Sequence, residues 1–450
     1  MSKKSLNATL NMTEGNIVRL LLIFSLPMLI GNIFQQVYNL ADSIIVGRLV
    51  GANALGAIGA TSSITFFFFA LCNGIGQGGG IITAQFFGSD NEHKVKQCIV
   101  NTGYIMTIFP FIVGIIAAIL SGPLLKILGT PEEIFADARW YTLVMCVGLL
   151  FVSIYNYISN MLRALGDSKT PLYFLIFACL LNVALDFLFV YCFKMGVIGA
   201  GIATVIAQFV AGGLCAIFAF KTNHYFKFEK YDLKFRKDIV WSVLRLGIPL
   251  SLQYSLIAVS TMAMQKVVNS FGPVAVAAFT ATGRVEQLIQ LPYQTLGASE
   301  STFCGQNYGA NKNDRVLAGY RKSVLIMTIF TVIMMPLMMI FARPMVSIFV
   351  SEKAVIDMGA TAIRIGALFY LFLGMIYVVR GILNGIGDAF FALLNGGIEV
   401  LGRFTVPFIL TAIPAIGVWG IWWSVGIVWF MSGFSAWLRY RYYRKKLIYQ

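Results

Sequence analysis

CIVNTGYIMTIFPFIVGIIAAIL, residues 98–120, runs without a single charged side chain. Wound as a helix at 1.5 Å per residue it extends about 34 Å, enough to cross a hydrocarbon layer of roughly 30 Å. Residues 171–191 and 390–413 also reach the roughly 20 residues that a helix needs to cross. A helix satisfies every backbone amide within its own segment, which lipid demands. The whole chain fits that solvent: 450 residues, 58% hydrophobic, 12% charged, mean hydropathy +0.79. An ordinary soluble domain carries about 25% charged residues. The fold class expected is therefore all-α integral membrane, with about twelve transmembrane helices on the ~20-residue criterion.

The first 16 residues are polar, and the apolar run after them is too long for a signal-peptide core and lacks a cleavage site, so the first helix is expected to remain. Cys72, Cys98, Cys146, Cys179, Cys192, Cys215 and Cys304 lie in or beside apolar segments without CxxC spacing. They read as small core residues rather than zinc ligands or a disulfide framework. Asn7 and Asn11 open N-x-T sequons, which mean little on a tail expected to face the cytoplasm.

A net charge of +15 suggests nucleic acid in a soluble protein. Here its placement explains it. Lys3, Lys4, Arg19, Lys94, Lys96, Arg163, Lys169, the run Lys221, Lys227, Lys230, Lys234, Arg236 and Lys237, then Lys312, Arg315, Arg321, Lys322 and the terminal Arg439, Arg441, Arg444, Lys445 and Lys446 all fall on one side. The alternate loops hold chiefly Arg48, Lys126, Lys194, Lys266, Arg343 and Lys353. By the positive-inside rule both termini are cytoplasmic in a multi-pass protein of the cell membrane, and no nucleic-acid partner is implied.

The sequence also contains itself twice. At an offset of about 221 residues, Ser25-Leu26-Pro27 faces Gly247-Ile248-Pro249, and Gln85-Phe86-Phe87-Gly88 faces Gln306-Asn307-Tyr308-Gly309. Lys94-Val95 faces Arg315-Val316, Pro123 faces Pro344, and Gly166-Asp167 faces Gly387-Asp388. Six helices per repeat begin both halves at the cytoplasm, a parallel repeat whose two lobes enclose a central cleft and alternate its access. The expected divisions are a tail (1–16), an N-lobe (17–220), a basic linker (221–238), a C-lobe (239–438) and a basic tail (439–450). No GxxxxGK[ST] appears, so ATP drive is not expected. The glycine-rich stretch from Gly74 to Gly80 lies in a membrane segment, where close helix packing explains it.

With Asn39-Leu40-Ala41-Asp42-Ser43-Ile44-Ile45-Val46-Gly47, the paired QFFG and QNYG loops, Arg163-Ala164-Leu165-Gly166-Asp167 and Gly199-Ala200-Gly201-Ile202-Ala203-Thr204, the chain resembles the multidrug and toxic compound extrusion (MATE) family. The resemblance covers nearly the whole chain and is nearer the DinF and MepA type than the NorM type. It implies a monomeric exporter of amphipathic, often cationic compounds, running by antiport against protons or sodium, with no other cofactor. The alternative is a flippase for lipid-linked oligosaccharides with the same two-lobe architecture, which should line its cleft with Arg and Lys. An enzyme is not expected: there is no HExxH, and His93 and His224 stand in loops.

An ionisable group in a membrane helix is expensive, and each is a functional candidate. Asp42 lies 23 residues beyond Arg19 and Asp186 lies 17 beyond Lys169, about 34 and 25 Å, so their depths are similar. Asn182 is one turn before Asp186, and Ala200 and Thr204 are one turn apart on a descending helix. Carboxylate, amide, hydroxyl and carbonyl oxygens suit a hard cation such as sodium, and paired carboxyls also suit a proton. The resemblance carries the cation-coupling role onto Asp42, Asn182, Asp186, Ala200 (through its carbonyl) and Thr204. The other reading is a buried hydrogen-bond network that only ties helices together. The second half does not keep these groups: Asp42 faces Ala263 or Met264, Asp186 faces the stretch from Thr405 to Pro407, and Thr204 falls near Trp422 and Trp423.

Further candidates for substrate binding or gating are Pro27, Gln253, Glu286, Glu399 and Arg403. Glu399 and Arg403 are i and i+4 and can neutralise each other, while Arg284 and Glu286 point to different helix faces. Gln253 stands in the seventh helix where the NorM pattern has an acid. Glu300 has no role in this reading. Aromatics at 14% and 18 methionines suit adaptable contacts with organic cations, although most must face lipid or pack helices.

Overall fold

A computed structural model describes residues 9–449, apart from the side chains at 52, 55, 258, 262 and 446–449. The sequon at Asn7, Lys3, Lys4 and the Lys446 side chain lie outside the described residues.

The first half forms α1 (Ile17–Leu49), α2 (Ala52–Gly88), α3 (Glu92–Ile127), α4 (Glu132–Ala164), α5 (Lys169–Asp186) and α6 (Gly196–Thr222). The second forms α7 (Lys237–Asn269), α8 (Pro273–Gly309), α9 (Asn313–Ser347), α10 (Lys353–Ala367), α11 (Tyr370–Gly385), α12 (Ala389–Thr411) and α13 (Gly420–Tyr449). No strand occurs among the described residues. By length and apolar content ten of these helices can cross a membrane, and α10 with α11, bent by 53°, makes an eleventh span. α8, whose 37 residues carry Arg284, Glu286 and Glu300, is long enough but falls outside that count. Large apolar side chains such as Ile127, Ile119 and Leu401 are exposed on the outside of the helices.

The repeat is visible in the turns. Gly166 and Gly387 have φ of 86° and 94°, a backbone conformation that a Cβ disfavours, and Asp90 and Asn311 are left-handed at 56° and 57°. Asp167 uses the first turn to accept from the amides of Lys169 (3.1 Å) and Thr170 (3.0 Å), starting α5.

The chain forms two compact units, residues 1–11 with 26–255 and residues 12–25 with 256–450, so the parting falls within α1 and α7 rather than in the basic linker. Local contacts explain it. Within the second unit, Ser299 Oγ donates to Leu21 O (3.2 Å), Gln306 accepts from Met12 N (2.9 Å), and Arg315 donates to the carbonyls of Met12 and Gly15 (both 3.1 Å). Within the first, α2 takes the opening turns of α7 in backbone contact. A Cβ on Gly74 would lie 2.2 Å from Ser251 N, and one on Gly78 would lie 2.6 Å from Gly247 N. The glycine-rich stretch therefore acts as a helix-packing surface.

Residues 223–236, between α6 and α7, fold back on α3. Asn101 donates to Lys234 O (3.2 Å) and accepts from Arg236 N (2.8 Å), and Tyr104 donates to Leu233 O (2.8 Å). The terminal basic stretch continues α13 as helix to Tyr449. Of the cysteines, five are buried and Cys146 is half-buried; Cys192 departs from the expected core role and is exposed.

Candidate cation-coupling site

Asp42, Asp186, Asn182, Ala200 and Thr204 meet in the first unit. Asn182 and Asp186 are 1% and 0% exposed, and Asp42 and Thr204 are half-buried. The Asn182 amide donates to Thr204 Oγ1 (3.2 Å), and Thr204 Oγ1 donates to Ala200 O (3.1 Å). The carboxyl groups of Asp42 and Asp186 stand close enough across α1 and α5 to feel each other's charge. Two carboxylates so close repel each other unless a proton or a cation stands between them. Asp42 Oδ1 is buried and has no protein hydrogen-bond partner among the described residues.

The local backbone positions these groups. Asp186 is the last residue of α5, and the chain continues as a π-helix over Phe187–Cys192. Such widened turns reorient side chains and recur at functional sites. Val46, Tyr141, Met145, Val190, Val197 and Ala200 form the apolar cluster beside the site. At the matching place in the second half, Met264, Val268, Ile421 and Trp422 belong to a buried apolar cluster. The groups of this site have no polar counterparts at that place in the second half.

Two tyrosines join the site that the sequence reading omitted. Tyr38 stands beside Thr204 in the field of both carboxyls, and Tyr141 of α4 lies in the same field. Tyr38 is legible after the fact, four residues before Asp42 and so on its helical face. Tyr141 has no such signal, because only tertiary packing brings α4 to α1 and α5.

The donor set fits a hard cation: two carboxylates, an amide oxygen, a hydroxyl and a carbonyl, with one orphaned carboxylate oxygen among them. Among the described residues no group of three or more His, Cys, Asp or Glu side chains is placed to hold a metal ion.

The remaining candidates lie elsewhere. Pro27 is buried in α1 and Gln253 in α7. Glu286 is half-buried against α10, where a Cβ on Gly366 would lie 3.0 Å from its Oε1, whereas Arg284 is exposed. Glu399 differs from the expected intrahelical pair. Its direct partner is Arg380 of α11, while Arg403 stands at 3.8 Å and donates to Ser260 (3.2 Å) and Thr261 (3.3 Å) of α7. Arg380 also donates to Asn395 (2.7 Å), and Ser432 of α13 donates to Glu399 (3.1 Å). Asn395, Glu399 and Arg403 mark one face of α12, but their partner is visible only across helices.

The MatE family model matches residues 27–188 and again 249–409, one match per repeat. This chain belongs to the MatE family. Among MatE relatives, the probable multidrug resistance protein YpnP of Bacillus subtilis is 31% identical over 96% of this chain and 97% of its own. The multidrug export protein MepA of Staphylococcus aureus is 23% identical over 94% of each. Among solved structures, a MOP superfamily transporter from Pyrococcus furiosus superposes with a TM-score of 0.92 at 23% identity, covering 99% of both chains. A multidrug resistance MATE family transporter in an outward-facing conformation gives 0.90, at 23% identity over 99% of both chains. The MatE architecture of twelve membrane helices in two halves is thus this chain's fold.

Proposed function

We propose that this MatE transporter exports amphipathic, often cationic organic compounds by antiport, with protons or sodium entering at the Asp42–Asp186 site. The observation that carries the reading is the convergence of Asp42, Asp186, Asn182 and Thr204 from three helices, with the two carboxyls in each other's field. An ion or proton at this place relieves the repulsion of one buried and one half-buried carboxylate, and its departure restores it. A ligand shifts a conformational equilibrium by its differential affinity for the two states, and this pair supplies such a difference. Asp42 shares α1 with Pro27, whose missing amide hydrogen lets the helix bend. Bending there couples occupancy at Asp42 to access for the exported compound. The named multidrug relatives support the substrate class.

The test is reconstitution in liposomes with an imposed sodium or proton gradient, following a fluorescent organic cation. Wild type should accumulate the dye against its gradient, Asp42→Asn should lose that drive, and Pro27→Ala should weaken coupling. Gradient-driven transport surviving in Asp42→Asn would refute the site, and lipid scrambling without dye transport would refute the substrate class.

A further inference from the structure

Glu300 is fully buried in α8 of the second unit, and nothing in the proposed transport step uses it. The repeat shows that it occupies a built place. At the 221-residue offset, Gly79, Thr83, Cys98 and Thr102 of the first half correspond to Glu300, Cys304, Gly319 and Ser323 of the second. In the first unit this quartet is closed. Thr83 Oγ1 donates to Gly79 O (2.8 Å), and a Cβ on Gly79 would lie 2.4 Å from Thr102 Cγ2, so no side chain fits there.

In the second unit the same four positions enclose a carboxyl group. Ser323 Oγ hydrogen-bonds Glu300 Oε2, and the Cys304 thiol donates to Oε1 (3.2 Å). Gly319 stands where Cys98 closes the first unit. A Cβ on it would lie 3.4 Å from Glu300 Oε1 and 2.4 Å from the Phe303 ring, and one on Gly381 of α11 would lie 3.1 Å from Glu300 Cβ. Two glycines thus make the slot and two protic side chains line it.

No ion pair reaches Glu300 among the described residues. The titratable groups facing it are Cys304 from α8, Tyr320 from α9 and Tyr440 from α13. The cations on the packed elements are engaged elsewhere or farther out. Arg315 lies over Phe303 and donates to Asn307 (3.0 Å), Arg380 serves Glu399 and Asn395, and Arg321 and Arg444 lie near Tyr440. From α1 the Leu21 carbonyl accepts from the neighbouring Ser299. Sodium needs several oxygen ligands, and a thiol is a poor one. A lone carboxylate in such surroundings is uncompensated.

The geometry points to a proton-binding site in the second unit, formed by Glu300, Ser323 and Cys304 and separate from the Asp42–Asp186 pair. A hydronium ion gives its proton to one carboxylate oxygen, one O–H bond breaking in the donor, which is left as water, as one forms on the acid, and the resulting neutral acid stays within its two hydrogen bonds. This assignment stands whether or not the first-unit site couples transport.

Infrared spectra of the full-length protein in lipid, near neutral pH, test it in an Asp42→Asn, Asp186→Asn background that removes the other carboxyl pair. Adding Glu300→Gln should remove a carboxylic-acid C=O band, and Ser323→Ala should move that band to higher frequency through loss of a hydrogen bond. The Ser323→Ala result decides the matter by itself if Glu300→Gln does not fold. Loss of carboxylate rather than carboxylic-acid intensity in Glu300→Gln, an unmoved band in Ser323→Ala, or a band abolished by adding sodium would each overturn the assignment.

Discussion

The side-chain amide of Asn182 donates to the hydroxyl of Thr204 over 3.2 Å, tying α5 to α6 one turn away from Asp186. That bond holds the amide and hydroxyl oxygens at the level of the two carboxyls, so positioning and ligation rest on the same atoms.

Thr204→Val keeps the shape but removes a hydroxyl that bonds Asn182 and Ala200 and stands beside Tyr38. A buried polar group left without its partner costs about 1–3 kcal/mol. The half-saturating concentration of the coupling ion should rise about tenfold, since 1.4 kcal/mol corresponds to a factor of ten. Tyr38→Phe removes only the neighbouring hydroxyl and should cause a smaller rise. Titrating the ion in reconstituted export assays measures both, and an unchanged ion dependence in Thr204→Val would exclude the hydroxyl from the site.

Arg380 and Glu399 form a buried pair in which each also serves Asn395 or Ser432. Breaking such a pair from one side costs about 3–5 kcal/mol, whereas replacing both partners by apolar residues is often neutral. Arg380→Met should lower the thermal midpoint in detergent by several degrees, and the Arg380→Met, Glu399→Leu double variant should recover most of the loss. Additive losses in the double variant would show that the two do not act as a pair.

Gly78 meets the backbone of α7 at Gly247 with no space for a methyl group. Gly78→Ala should destabilise by about 1–3 kcal/mol through overpacking, while Gly59→Ala, where nothing lies within 4 Å, should be silent in the same melting assay. Equal midpoints for the two would contradict the close approach of α2 and α7.

Asn101 satisfies one carbonyl and one amide of the segment between α6 and α7. Asn101→Ala leaves both without that partner, so trypsin should cut at Lys230 or Lys234 several-fold faster than in wild type. Limited proteolysis followed by mass spectrometry reads the rate, and unaltered cleavage would mean that Tyr104 and the buried Asp232 hold the segment alone.

Much of the site was legible because helical geometry ties sequence distance to depth and face. Asp42 and Asp186 could be set at one level from their distances to Arg19 and Lys169, and Asn182 and Thr204 from their i, i+4 spacing. Tyr141 was not, because its place follows from the packing of α4. For the same reason Glu399 was matched with Arg403 on its own helix, while the tighter partner, Arg380, comes from the next one.

The sequence by itself determined the solvent, the helical class, the duplication and the absence of Asp42 and Asp186 counterparts from the second repeat. Each is a statement about composition or period, and lipid leaves the backbone few other ways to satisfy its amides. Only the tertiary structure decided which helix faces meet. It gave the Asp42–Asp186 approach, the division of α1 and α7 between the units, and the slot that Gly319 and Gly381 open for Glu300. Such contacts depend on side-chain volumes fitted across helices distant in sequence, and no periodicity within one helix records them.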